Sequence, residues 1–306
     1  MDDKIVILDS KNPYINISRE YSYFENLQSD ELFFLLWQNE PCVIMGRNQN
    51  IYNELNLDYI KKENILPVRR FTGGGSVYHD LGNLNFTFIS SQKNKKMDAR
   101  MDIILNALNK EGIEAEKKGR NDILSNGKKI SGMARLEDEE KILIHGTLMV
   151  DLDLRKLSNC LTPDISKFNG KGIKSIKSRV VNLNQLNPSI TISSLKSSLI
   201  ESFKKEYPEA KSISHNQYPD EIFIYQMLIS KDWIFGRKEK AQIQRTLKVE
   251  GRPLIIDIDI DNDIIKNIDI YTDSLDLEKI EKTKIKLIGK EYKNIIIEDI
   301  IKSIWL

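Results

Sequence analysis

The chain has 306 residues, 46 basic against 45 acidic, and a formal charge of +1. That balance leaves no global field to draw it onto nucleic acid or an anionic membrane, so any anion recognition has to be local. No apolar run approaches bilayer length, and the start MDDKIVILDS lacks the basic, apolar and cleavage regions of a leader, so a cytoplasmic protein is expected that binds neither nucleic acid nor membrane. Cys42 and Cys160 are far apart in sequence and read as buried thiols, not as a disulfide framework or a metal site.

Short apolar runs bounded by turn residues dominate the first half: ELFFLLW (31–37), PCVIMG (41–46), LPVRR (66–70), LNFTFIS (84–90), KKISGMARL (128–136) and KILIHGTLMV (141–150). They read as strands of a twisted sheet. Between them, Ser18–Leu27, Leu57–Glu63 and Asp98–Lys110 have helical spacing, the last placing Met101, Ile104, Leu105 and Leu108 on one face. The fold class is therefore α+β, with helices covering a mixed or antiparallel sheet. The Gly-, Ser-, Asn- and Lys-rich stretch 166–189 reads as a long ordered loop, followed by helices over Ile192–Glu206 and Pro219–Ser230. Three alternating runs (Ile243–Val249, Leu254–Ile260, Ile264–Tyr271) and a last helix at Ile297–Ile304 form a small second domain, which divides the chain into 1–243 and 244–306.

Three stretches carry chemistry. In RRFTGGGSVYHDLGN (69–83), three glycines join two strands, where they permit positive φ and a close backbone approach; successive N–H groups can form an anion nest, with Arg69 or Arg70 adding a charged fork. In NDILSNGKKISG (121–132), Asn126-Gly127 marks a hairpin, Lys129 and Ser131 fall on one strand face, and Gly132 admits a ligand closely. Asp122, across that hairpin, can hold a divalent cation or orient the lysine. In KILIHGTLMV, His145, Gly146 and Thr147 interrupt an otherwise apolar strand. Each stretch alone also reads as ordinary turn, surface hairpin or core packing.

Taken in order, RR.TGGG(A/S)VYHDLGN, GRNDI…G.KISG.A and HGTL resemble the lipoate-protein ligases, with further matches in CVIMGRNQN (42–50), KGIKSIKSRVVNL (171–183) and WIFGR (233–237). The resemblance implies a catalytic lipoate- and ATP-binding domain of the lipoate/biotin ligase superfamily over 1–243 and an accessory domain over 244–306. It implies that lipoate is activated by ATP to lipoyl-AMP with release of pyrophosphate, and that the lipoyl group then passes to a lysine of a carrier: the glycine cleavage H protein, the E2 lipoyl domain of a 2-oxoacid dehydrogenase, or both. A monomer using ATP and Mg²⁺ is expected. Lys129 matches the central catalytic lysine, bridging carboxylate and phosphate. Arg70 and the backbone of Gly75, Ser76, Val77 and Tyr78 match positions around the acyl-adenylate, and Asp122 matches the position near Mg²⁺. Gly74, His79, Asn83, Asn121, Ser131, Gly132, Ala134, His145, Gly146 and Thr147 match motif positions that bind or shape the site. Met45–Arg47 and neighbouring strands are expected to form the slot for the dithiolane tail, and Lys240–Arg245 a hinge. The chain departs from many relatives in carrying Ile144 where they have a second histidine, which bears on substrate or carrier preference.

Three rivals stand beside this reading. A carrier-to-carrier octanoyl or lipoyl transferase working through a cysteine thioester would need a reactive cysteine, for which Cys160 is the candidate. A biotin ligase shares the glycine-loop and lysine logic, but its tryptophan-bearing loop is absent. A non-catalytic lipoate- or nucleotide-binding module would not require Lys129, Asp122 and Arg70 together.

Overall fold

A computed structural model of the chain describes residues 2–94, 97–119, 121–161, 180–236, 243–249 and 252–305. Parts of the 166–189 loop and of the Lys240–Arg245 hinge lie outside the described residues. The strands are β1 (Asp2–Ile7), β2 (Glu31–Trp37), β3 (Cys42–Met45), β4 (Leu66–Arg69), β5 (Val77–His79), β6 (Asn83–Ser91), β7 (Glu116–Lys118), β8 (Asp122–Ser125), β9 (Lys128–Glu137), β10 (Lys141–Met149), β11 (Lys211–Ile213), β12 (Ile243–Val249), β13 (Arg252–Asp261) and β14 (Ile264–Thr272).

One eight-stranded sheet runs in the order β11-β1-β2-β6-β10-β9-β8-β7. Its β11-β1-β2 edge is parallel and its β2-β6-β10-β9 centre antiparallel, so the sheet is mixed as the pattern predicts. The run ELFFLLW alternates between two cores because successive strand side chains point to opposite faces. Leu32, Phe34 and Leu36 meet the Met97–Lys110 and Ile192–Glu206 helices, where Phe34 stacks on Phe88 at 4.7 Å and on Phe203 at 4.8 Å. Phe33, Leu35 and Trp37 join the other core, which includes Ile17 and Tyr23 of the Pro13–Glu25 helix. That helix begins five residues earlier than the apolar spacing suggests, because Asn12 caps it through Tyr14 and Ile15 N–H and Pro13 occupies its first turn.

A small sheet, β4-β3-β5, lies beside the first. Its β4–β5 connection is the glycine-rich segment, so the sequence's strongest motif is a turn between strands of one sheet. The C-terminal sheet, β12-β13-β14, is antiparallel and covered by the Leu277–Leu287 and Asn294–Trp305 helices. Its core of Leu254, Ile256, Ile258, Ile280, Ile301 and Trp305 is separate from the other two.

The two parts meet at the glycine turn. Thr272 N–H donates to Asn48 O at 3.1 Å, the Gln49 amide donates to Thr272 O at 2.6 Å, and Gly74 N–H reaches Ser274 O at 3.4 Å.

Candidate active site

A cavity of about 340 Å³ opens on the face of the large sheet that carries Trp37, Asn85, His145 and Thr147. Four groups of residues converge on it: the glycine turn (Arg70, Gly74, Gly75, Ser76, Val77, His79), the β8–β9 hairpin (Asn121, Asp122, Lys129, Gly132, Met133, Ala134), β10 (His145, Gly146, Thr147), and Gln49, Glu54 and Asp273 at the domain junction. Most of the residues singled out from sequence are thus brought together.

The glycine turn is shaped from behind by Arg70. Its Nη2 donates to Gly73 O at 2.6 Å and Gly75 O at 2.9 Å, its Nη1 to Ile44 O at 3.1 Å, and its Nε to Thr72 Oγ1 at 2.7 Å. Burial pulls this guanidinium down to about 10, so it stays charged at neutral pH. Arg69 takes no part in the cavity. It donates to the carbonyls of Gly46, Arg47, Gln49, Trp233 and Ile234, which ties the GRNQ loop and the WIFG segment to the floor of the small sheet. The glycines have distinct duties. A Cβ on Gly46 would lie 1.9 Å from Gly74 O, and one on Gly73 would lie 2.4 Å from Ser274 O; of the three glycines in the turn, Gly75 alone faces open space. Gly74 itself sits at φ +91°, where a side chain would be strained.

On the opposite wall, Lys129 Nζ pairs with Asp122 Oδ1 at 2.8 Å. The expectation that Lys129 and Ser131 share a face fails for a definite reason. The pairing with β8 shifts between Ile123 and Leu124, and this bulge breaks the two-residue alternation. Ser131 turns inward, fully buried, while Lys129 swings over Gly132, where a Cβ would lie 3.0 Å from both Lys129 Cε and Nζ. Gly132 therefore makes room for the ammonium.

His145 anchors a buried relay. Its Nδ1 lies 3.0 Å from Glu20 Oε1, a carboxylate only 3% exposed that also accepts from Thr87 Oγ1 at 2.6 Å. Trp37 Nε1 donates to Thr87 Oγ1 at 2.9 Å, and Thr72 Oγ1 lies 3.0 Å from His145 Nε2. His145 is thus held at both ring nitrogens, by the Glu20 carboxyl at Nδ1 and by the Thr72 hydroxyl at Nε2.

Of the residues expected from sequence, the side chains of Tyr78, Asn83 and Ser131 do not line the cavity; all are buried, with Asn83 donating to Asn85 Oδ1. The apolar wall comes from Ile17, Trp37, Ile44 and Val77, not from Met45–Arg47, because Met45 alternates into the core. Ile144 lies on the opposite face of β10 from His145 and lines a second, smaller cavity with Phe86, Phe88 and Met101. Glu20, Trp37 and Asn85 went unread: Trp37 and Asn85 sit in runs that look purely apolar or capping, and nothing local marks Glu20 as buried. Cys160 is fully buried, its thiol is pushed up to about 12 by burial, and it does not line the cavity, which removes the nucleophile a thioester transferase would use.

Among the described residues, no three His, Cys, Asp or Glu side chains are grouped to hold a metal ion, and no helix is long and apolar enough to cross a membrane. A single carboxylate such as Asp122 does fit Mg²⁺ that arrives already bound to nucleotide phosphates.

Comparison with known proteins agrees with this geometry. Residues 12–204 match the lipoyl protein ligase A/B catalytic domain, and residues 239–306 match the bacterial lipoate protein ligase C-terminus. Lipoate-protein ligase A of Bdellovibrio bacteriovorus is 34% identical over 98% of this chain and 92% of that protein. Lipoate-protein ligase A of Blochmanniella pennsylvanica is 36% identical over 95% and 89%. The crystal structure of P. falciparum LipL1 in complex with lipoate superposes with a TM-score of 0.86 at 32% identity, covering 98% of this chain and 94% of that one. A lipoate-protein ligase A bound with ATP gives 0.67 at 25% identity over 77% and 99%. With both parts matched in order and along nearly the whole length, the chain belongs to the lipoate-protein ligase family and is an enzyme of that kind.

Proposed function

We propose that this ligase activates lipoate with ATP to lipoyl-AMP and then passes the lipoyl group to a lysine of a carrier domain, with residues 1–243 holding both substrates and 244–306 acting as the accessory domain. The observation that carries the reading is the Lys129–Asp122 pair at one end of a cavity whose other end is apolar. Gly132, Thr147, Asn85 and Trp37 lie on neighbouring strands, with Gly132 N–H donating to Thr147 Oγ1 and Thr147, Asn85 and Trp37 in register. At ~4.8 Å between strands, two steps from Gly132 to Asn85 span about 10 Å, the length of an extended eight-carbon acid.

In the first step a carboxylate oxygen attacks the α-phosphorus and the bond to pyrophosphate breaks. Two anions must meet, and Lys129 supplies the positive charge between them, while Gly75, Ser76 and Val77 offer backbone donors from the opposite wall. Asp122 holds the ammonium in place and would share Mg²⁺, which when bound neutralises phosphate charge. In the second step a neutral carrier lysine attacks the mixed anhydride, AMP leaves, and the amine proton passes to solvent. No enzyme nucleophile is needed, in keeping with the buried Cys160. The likeness to a ligase bound with ATP and to an archaeal ligase solved with its E2 lipoyl domain supports the nucleotide and carrier assignments. Incubation of the enzyme with ATP, Mg²⁺, lipoate and an E2 lipoyl domain or H protein, read by intact mass, tests it: one lipoyl amide per carrier is expected, and modification that proceeds equally without ATP would overturn the reading.

A further inference from the structure

The cavity wall contains a hydrogen-bond donor whose identity is fixed by a chain of buried amides. Asn16 Nδ2 lies within 3.0 Å of three oxygens, Ser10 O, Gln38 O and Asn39 Oδ1, so it must be the NH₂ group. Asn39 therefore presents its oxygen to Asn16 and its NH₂ to His79 Nδ1, at 3.2 Å. His79 Nδ1 is thus the acceptor, and the ring proton sits on Nε2. Among the described residues that Nε2–H has no partner, although His79 is only 3% exposed and lines the cavity. Burial, with the Arg70 charge adding, pulls the imidazole down to about 3, so the ring stays neutral and this tautomer persists at physiological pH. His79 stands in edge contact with Trp37, ring centroids 6.4 Å apart, at the apolar end among Ile17, Ile44 and Val77. Asn85, the register partner of Trp37, adds to the same wall a second donor, its Nδ2, that has no partner among the described residues, while its Oδ1 accepts from Asn83.

A buried donor left unpaired is costly, so a ligand that fills this end without an acceptor pays for it. We propose that His79 is a specificity residue: its Nε2–H donates to an acceptor atom in the tail of the bound acid, so that a tail closed by a ring disulfide is held in preference to a plain alkyl tail of equal length. The proposal rests on the reading of the cavity as the acid-binding site and adds what that site selects. A ring sulfur is a weak acceptor, so the preference is modest, on the order of fivefold in Kd.

Calorimetric titration of the enzyme with lipoate and with octanoate, without ATP, tests it. Wild type is expected to bind lipoate about fivefold more tightly. His79→Phe, which keeps ring volume and removes the donor, is expected to bring the ratio near one by weakening lipoate, and His79→Gln to restore the preference. An unchanged ratio in His79→Phe, or equal binding by wild type, overturns the proposal while leaving the ligase reading intact; binding of neither acid overturns both. If His79→Phe does not fold, the imidazole N–H signal of wild type decides: it shifts with lipoate and not with octanoate if the proposal holds, and responds equally to both if it does not.

Discussion

Lys129 is the residue on which the chemistry is expected to depend most and the fold least. Its side chain is 35% exposed and its partner Asp122 is more exposed still, so the pair is held in a screened environment and adds little to stability. Lys129→Ala should change stability by less than about 0.5 kcal/mol, as read by chemical denaturation. It should lower the adenylation rate by about a hundredfold to a thousandfold, the range for removing a group that meets developing charge. His79 behaves in the opposite way. Its folded pKa lies below its unfolded one, so the unfolded chain binds the extra proton and stability falls as pH drops below about 6.5 towards 3. His215 is shifted in the same direction, by burial and then the Arg19 charge, and adds to that loss of stability as pH falls. His79→Gln should therefore make the loss of stability between pH 6 and 4 shallower by about 1.4 kcal/mol per pH unit without flattening it, as urea denaturation at each pH would show. Cys160 and Arg69 carry a lesson at the same scale: a reactive-looking thiol and a motif arginine are both committed to the interior.

At the scale of elements, the strand runs and the Ile192–Glu206 helix were legible because apolar periodicity is a local property, and those bounds match what the chain forms. Two features were not. The Pro13–Glu25 helix takes its start from a cap, not from periodicity, and Asn12→Ala should cost about 1 kcal/mol by thermal denaturation. The bulge in the β8–β9 hairpin depends on how two strands register against each other, which no single run of residues reveals, and it decides which of Lys129 and Ser131 reaches the cavity. For the same reason the motif spacing pointed to Lys129, Asp122 and His145 but not to Glu20, Trp37 or Asn85, which come to the site through tertiary pairing. Gly132→Ala tests the consequence of the bulge. A Cβ there crowds the lysine's ammonium end, so turnover should fall on the order of tenfold to a hundredfold while melting temperature stays close to wild type.

Across the whole molecule, the glycine turn serves two masters. Gly75 faces open space on the cavity side, whereas Gly73 is in contact with the Thr272–Leu275 turn of the C-terminal domain, which brings Asp273 to the main cavity and Leu275 to the second. Dyes on cysteines introduced at the exposed positions Glu63 and Lys286 should report docking by energy transfer, since the native Cys42 and Cys160 are buried. Gly73→Ala should shift the chain to lower transfer and Gly75→Ala should leave it as in wild type; equal behaviour of the two would refute this division of labour. The central claim remains the charge-bridging role of Lys129 in forming an acyl-adenylate, and exchange of labelled pyrophosphate into ATP tests it most directly. Wild type should exchange label only when lipoate and Mg²⁺ are both present, and Lys129→Ala should lose that exchange while keeping its fold. Near-normal exchange in Lys129→Ala, or exchange in wild type without lipoate, would contradict the account.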